Sequence, residues 1–342
     1  MASYIGTATS RVDGRAKVTG EAKYAGEFSV PGLVHGYVVD STIPKGRIVR
    51  IDTSGALGIA GVIDVLTHRN RPPMADKDDA YKDEVAPEKG SPYRPLYDDR
   101  IQFAGQPVAL VLAEDWETAR IAASQVRIEY QKEPHVTDLH AERARAFATD
   151  APEKPRGDAE EAFASAAVRH AAEYSIPTEH HNPMELFAST AIWEAGKLTV
   201  YDKTQGVQNV QQYLCKVFKL QPGAVRVMSP YMGGGFGAGL RPQYQVVLAV
   251  LGANALKRPV RVMLTRAQMY ALGYRPASIE RLALGASSGG ALESMDFLPP
   301  LGGTGTPTSS WWGVAELEED RRRGEGPAAR RCLNQLDARV DE

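Results

Sequence analysis

Cysteine is scarce in this chain, with only Cys215 and Cys332 among 342 residues. Two isolated thiols exclude a disulfide framework and any thiolate-held iron–sulfur or zinc centre built within the chain. Long apolar runs are also missing. No stretch approaches the length of about 18 residues that a membrane-spanning helix needs, and the opening MASYIGTATSRVDGRAKVTG has no apolar core of a signal peptide. A cytoplasmic chain with no membrane partner is the expectation. Neither charge sign is in excess: 40 Lys and Arg stand against 42 Asp and Glu, for a formal net charge of -2. That balance gives no global footprint for nucleic acid or an anionic membrane surface.

What is present is an ordinary globular composition, 43% apolar and 24% charged, in a chain long enough for two domains. Residues 11–70 read as short strands punctuated by glycine and proline. In RIVRID, Ile48 and Ile51 fall out of simple alternation. The charged, proline-rich stretch RPPMADKDDAYKDEVAPEKGSPYRP reads as a long surface loop. PVALVLA at 107–113 is a strand, and Trp116, Ala119, Ala123 and Val126 then recur at helical spacing. VRIEY closes a first α+β domain over residues 11–130, which offers no compact cluster of titratable groups. Residues 131–157 are poor in large apolar side chains and read as a linker.

A second domain is expected over 158–298. Asp158 is placed to cap a short helix, with Glu161 at the reciprocal capping-box position. The Ala195-Gly196 turn joins two alternating runs, and Val207, Val210, Leu214 and Val217 mark one face of a helix. Gln205 therefore stands at a strand-to-helix junction. A second such junction follows: AVRVMSP is a strand, MGGGFGAG a loop, and PQYQVVLAVLGANAL a helix with Pro242 in its first turn. That helix is apolar on most of its circumference and is expected between layers. RLALGASSGGALESMDF reads as a hairpin.

Glycines at this density admit close approach of backbone amides to an anion and allow positive φ. A mononucleotide phosphate loop would need a Gly-Lys followed by Ser or Thr, and the lysine is missing. Gly233, Gly235 and Ala238 fit a dinucleotide fingerprint formally, yet ANALKR about 20 residues on has no carboxylate for a ribose. A dinucleotide-binding dehydrogenase is thus the minor reading. The plain alternative is a tight turn for helix packing, with Phe236 in the core. His180 and His181 with Glu179 or Glu185 are a weak metal motif, because adjacent strand side chains point to opposite faces. Cys215 has no histidine near it in the sequence and reads as a buried neutral thiol. The run EEDRRRGEGPAARR reads as solvated.

Five segments, taken in order, carry a resemblance: DGRAKVTGEAKYAGEF, FAGQPVALVLAEDWETARIAASQVRIEY, HHNPMELFASTAIWE, TQGVQNVQQYL and RVMSPYMGGGFGAG. Residues 11–298 resemble the N-terminal portion of the molybdenum-binding large subunit of the xanthine dehydrogenase and aldehyde oxidase family. The resemblance implies an α+β chain: an α/β hammerhead domain at 11–130, then a partial molybdopterin-binding α/β domain from 158 to 298. It implies a molybdopterin-type cofactor, in the cytosine-dinucleotide form in some members, that oxidises aldehydes to carboxylic acids with water as the oxygen source. Iron–sulfur clusters and FAD reside on partner subunits, and a partner's signal is the alternative route to a periplasm. It assigns Gln205 as the donor to a molybdenum oxygen and Phe236 to a place beside the metal. Gly234, Gly235, Phe236 and Gly237 form the cofactor-binding loop, with no protein metal ligand. Purine-oxidising members carry a glutamate where Leu240 stands, which favours aldehydes. After Phe297 the resemblance ends; residues 299–342 are expected to be a divergent, poorly ordered tail of the kind a shifted reading frame or truncated gene produces. No glutamate there can be assigned as the family's general base. A catalytically inactive remnant or structural assembly component is therefore the alternative function.

Overall fold

The computed structural model describes residues 6–83, 92–145, 157–271 and 273–302. In chain order the elements are α1 (Gly14–Thr19), β1 (Val34–Asp40), β2 (Gly46–Asp52), α2 (Ser54–Leu57), β3 (Val62–Thr67), β4 (Arg100–Ile101), β5 (Pro107–Ala113), α3 (Trp116–Ala123) and β6 (Arg127–Lys132). They continue as α4 (Leu139–Glu142), α5 (Ala159–Ser165), β7 (Val168–Ile176), β8 (Glu179–His180), β9 (Ala188–Glu194), β10 (Lys197–Asp202), α6 (Val207–Phe218) and β11 (Val225–Met228). The last are α7 (Tyr244–Leu256), β12 (Val260–Met263), α8 (Arg266–Met269), β13 (Tyr274–Arg275), β14 (Ser278–Ala286) and β15 (Leu292–Gly302). Two compact units result. The first takes in the described parts of Met1–Val85, Ser91–Pro134 and His181–Gly273, the second those of His135–His180 and Tyr274–Glu342.

The first unit is organised by a seven-stranded mixed sheet in the order β11-β10-β9-β12-β1-β5-β3. Strands β11, β10, β9 and β12 from the later part of the chain form one block and β1, β5 and β3 from the earlier part another, and β1 joins the two by pairing parallel to β12 and antiparallel to β5. All seven residues of β5 are buried. Its unbroken run PVALVLA has that form because both faces of the strand are covered. Helix α7 is buried from Tyr244 through Ala253, as its all-round apolar sequence requires. Helix α6 is amphipathic instead, burying Val210, Leu214 and Val217. Between β9 and β10, Ala195 and Gly196 both take positive φ, +48° and +77°. That pair of left-handed residues matches the twist of a two-residue hairpin. A separate three-stranded sheet, β4-β2-β6, closes on Ile43, Ile48, Ile101 and Val108.

Three local expectations change here. The irregular spacing of Ile48 and Ile51 is a bulge, since the register of β2 against β6 shifts between Ile48 and Arg50. The charged stretch after residue 70 is no mere surface loop: Met74, Ala75, Tyr81, Tyr93 and Leu96 enter the main core, and the Tyr81 hydroxyl donates to Ala75 O at 2.7 Å. Isolated apolar residues set among charges carry no period, so their burial is invisible to pattern reading. Residues 84–91 of that stretch lie outside the described residues. Pro242 sits before the N-cap Gln243 rather than in the first turn of α7.

In the second unit α5 lies on the antiparallel sheet β15-β14-β7. Asp158 caps this helix by accepting the Glu161 amide at 3.0 Å. The helix approaches closely because Gly285 has no side chain; a Cβ there would stand 2.9 Å from Ala166 Cβ. Of the expected linker, β6 takes residues up to Lys132 and α4 takes Leu139–Glu142, while 146–156 lie outside the described residues. Strand β15 runs on past Phe297 to pair Gly302 with Ser278. The rest of the expected tail, including Cys332, lies outside the described residues.

Candidate cofactor site

The two strand-to-helix junctions singled out in the sequence meet in the first unit. Gln205 leaves β10 just before α6, and the glycine loop joins β11 to α7. Gln205 N donates to Gly239 O at 2.8 Å, and Gln205 Oε1 accepts Gly239 N at 3.2 Å. Thr204 Oγ1 also donates to Gly239 O, at 3.1 Å, and Asn209 Nδ2 donates to Leu240 O at 3.2 Å. The backbone amide can only donate, so the carboxamide atom facing it is the oxygen. The Gln205 NH2 group is thereby turned away from Gly239 on a side chain that is otherwise exposed.

The loop itself is shaped by glycines that have little alternative. A Cβ on Gly235 would collide with the Gln205 carboxamide, 2.6 Å from Oε1 and 2.8 Å from Nε2. Gly234 and Gly237 adopt φ of +98° and +93°, in the left-handed range where a side chain is strained. Phe236 is also left-handed, at +53°, and its ring is 70% exposed, so it is not the core residue that the plain packing reading requires. The turn is closed by Ala238 N donating to Gly235 O and Leu240 N to Gly237 O. Among the described residues, the amides of Gly234, Gly235, Phe236 and Gly237 meet no acceptor. Gly235 is nonetheless buried. A buried amide ordinarily has a partner, and successive amides of this kind form a concavity suited to an anionic oxygen.

Of the ionisable groups behind this wall, sequence reasoning missed Asp202 and Lys203 and offered Glu185 only as part of a weak metal motif, whereas this carboxylate holds backbone amides. Glu185 Oε2 accepts Gly233 N at 2.7 Å and Oε1 accepts Ala25 N at 3.4 Å, while Glu185 N returns a bond to Gly233 O at 3.0 Å. Burial pushes the Glu185 carboxyl up against those two hydrogen bonds. Asp202, wholly inside, accepts from Ser189 Oγ and from Gln245 Nε2, and burial raises it to about 6. Lys203 is pushed down to about 8 by burial, against the pull of Glu185 and Asp202. The alternation of β10, with Leu198, Val200 and Asp202 all buried, was the available signal for Asp202.

Arg241, next to Leu240, makes a bidentate buried pair with Asp83 at 2.9 and 3.0 Å. Leu240 presents only a partly buried apolar side chain after the loop. His181 Nδ1 lies 2.7 Å from Gly273 O and so carries the proton; His180 belongs to the second unit, its ring 5.7 Å from that of Tyr274. No group of three metal-ligating side chains occurs among the described residues. Cys215 is half-buried, with its thiol pushed up by burial, which suits an inert thiol. No helix among the described residues is long and apolar enough to cross a membrane.

A sheet shared by the earlier and later parts of the chain and a donor-lined glycine loop define a class. Residues 19–134 match the aldehyde oxidase and xanthine dehydrogenase a/b hammerhead domain, and residues 139–298 the molybdopterin cofactor-binding domain. The chain belongs to the xanthine dehydrogenase and aldehyde oxidase family, as a part homologous to the N-terminal portion of its molybdenum-binding large subunit. It is thus an α+β chain pairing the hammerhead with a partial molybdopterin-binding domain, and membership implies a molybdopterin site.

Among particular relatives, it is 37% identical over 298 residues to the aldehyde oxidoreductase molybdenum-binding subunit PaoC of Escherichia coli (strain K12), covering 85% of this chain and 39% of that one. The aldehyde oxidoreductase from Desulfovibrio gigas superposes with a TM-score of 0.71 at 26% identity, over 84% of this chain and 34% of that one. Quinoline 2-oxidoreductase from Pseudomonas putida 86 gives 0.72 at 25%, over 86% and 39%. The chain therefore spans between about a third and two fifths of the length of these relatives.

Proposed function

We propose that this chain supplies the oxygen-facing wall of a molybdopterin site, as a site-forming and assembly component that does not turn over substrate by itself. The observation that carries the proposal is the donor surface: the Gln205 NH2 group, oriented by Gly239, beside the four amides of Gly234 to Gly237 that meet no acceptor among the described residues. When bound, the cofactor would supply the redox chemistry that hydroxylates a substrate carbon with oxygen from water. The chain's own residues bind and orient. Gln205 Nε2 and the loop amides would hold an anionic oxygen of the cofactor, a preorganised arrangement of donors that stabilises charge without reorganisation. The exposed Phe236 ring gives the site an apolar edge. Glu185 accepts the Gly233 and Ala25 amides through its two oxygens and so ties the start of the loop in place.

A second reading is an aldehyde-oxidising hydroxylase, active once the site is completed alongside iron–sulfur and FAD subunits. It is favoured by the identity with PaoC and by Leu240, whose apolar side chain offers no charge to a purine. The test is to purify the chain alone and with the candidate partner subunits, then measure bound molybdenum and pterin and aldehyde-dependent dye reduction. The expected result is no turnover by the chain alone. Turnover by the chain alone overturns the site-component reading, and turnover only with partners selects the second. If neither preparation holds molybdenum or pterin, the cofactor wall itself is wrong. In any active complex, Gln205→Ala is expected to lower kcat by about 10²-fold with an unchanged melting temperature.

A further inference from the structure

Lys203 lies directly before the Thr204-Gln205 pair, yet it is only 1% exposed and its ammonium meets no hydrogen-bond acceptor among the described residues. Its Nζ sits 4.4 Å from the centroid of the Phe187 ring and 3.4 Å from the position a Cβ on Gly239 would take. That same position is 3.6 Å from Gln205 Cγ. The ammonium is thus packed under the far end of the glycine loop, where Gly239 holds Gln205. At the near end, Glu185 grips Gly233 through its carboxylate and its backbone amide. A buried ammonium with no direct partner is unfavourable unless its charge is met through space. Glu185 and Asp202 are the opposite charges that act on it, and Arg266 the like one.

We propose that the buried Lys203 and the half-buried Glu185 form a separated charge pair that clamps the two ends of the glycine loop, making both of them positioning residues for the Gln205 side chain. The consequence for catalysis rests on the reading of that loop as the cofactor wall; the clamp itself does not. An aromatic face beneath the ammonium and a glycine above it leave the charge room without solvent. Lysine would then be retained at this place for its charge, since methionine fills a similar volume.

The test reads the loop in the intact chain by amide hydrogen exchange, with no cofactor needed. The informative amides are those of Gln205, Gly233, Ala238, Gly239 and Leu240, all of which donate within the protein. Lys203→Met is expected to speed their exchange by at least about tenfold while the α7 amides keep their protection. The double variant Lys203→Met with Glu185→Gln is expected to return to within about threefold of the parent, because the glutamine still accepts Gly233 N and the Glu185 charge is gone, while Asp202 keeps its bonds from Ser189 and Gln245. A folded Lys203→Met chain with unchanged loop exchange overturns the proposal, and so does a double variant as loose as the single. If Lys203→Met does not fold, the double variant decides: a protected loop supports the pair, and failure to fold overturns it. Exchange that behaves as expected in a chain that never acquires pterin with its partners would leave the clamp standing and remove the cofactor reading.

Discussion

Asp40 illustrates how a single buried carboxylate sets a pH dependence. One of its oxygens accepts Gln268 Nε2 at 2.9 Å, while the other is buried with no acceptor role filled among the described residues. Burial pushes its pKa up to about 6. A carboxyl whose folded value lies above its unfolded value favours the folded state most at low pH, and that advantage is lost as pH rises through about 6. Asp40→Asn, which mimics the neutral form and keeps an acceptor for Gln268, is therefore expected to stabilise the chain at pH 7 by roughly 1–3 kcal/mol. The gain should vanish near pH 4, the ordinary carboxylate range. Urea unfolding at the two pH values checks this, and an equal gain at both would show that charge is not the cause.

At the scale of the element, the loop between β11 and α7 has glycines with different tolerances. Gly235 faces the free end of a flexible side chain, the Gln205 carboxamide, and its own φ is ordinary. Gly235→Ala is expected to leave stability within about 1 kcal/mol while displacing Gln205 and breaking its bond from Gly239 N. Gly233 faces Glu185 Cβ at 2.7 Å with the Glu185 backbone just behind, so nothing can swing aside. Gly233→Ala is expected to destabilise by about 1–3 kcal/mol. Denaturant midpoints separate the two, and equal losses would contradict the distinction. The loop's existence, its flanking strand and helix, and the junction position of Gln205 were legible from the glycine cluster and the apolar periods around it, whereas the exposed Phe236 was not, since its side chain alone reads as a core residue. The Glu185 and Lys203 contacts were not, because they join residues distant in sequence whose types are unremarkable in their own segments.

For the whole molecule, the main sheet places β1, β5 and β3 from the first part of the chain beside β12, β9, β10 and β11 from the second. Strand β1 lies inside the sheet, and cutting the chain near residue 134 would strip its Val34–Gly36 segment of β12. Residues 1–134 expressed alone are thus expected to lack a cooperative thermal transition and to aggregate through that segment. A sharp, reversible transition in that fragment, followed by circular dichroism, would show that the shared sheet is dispensable.

The sequence by itself determined the elements and the chemistry on offer: strands where apolar residues alternate or run unbroken, helices where they recur every third or fourth residue, and two junctions rich in amides. These are set by local backbone sterics and by burial of neighbouring side chains, so short windows suffice to read them. Only the tertiary structure decided that strands from both parts of the chain share one sheet. It also decided that Tyr81 and Tyr93 in a charged stretch belong to the core, and that Glu185 and Lys203 flank the same loop. Those outcomes depend on long-range pairing and on which charges are desolvated together, and neither leaves a period in the chain.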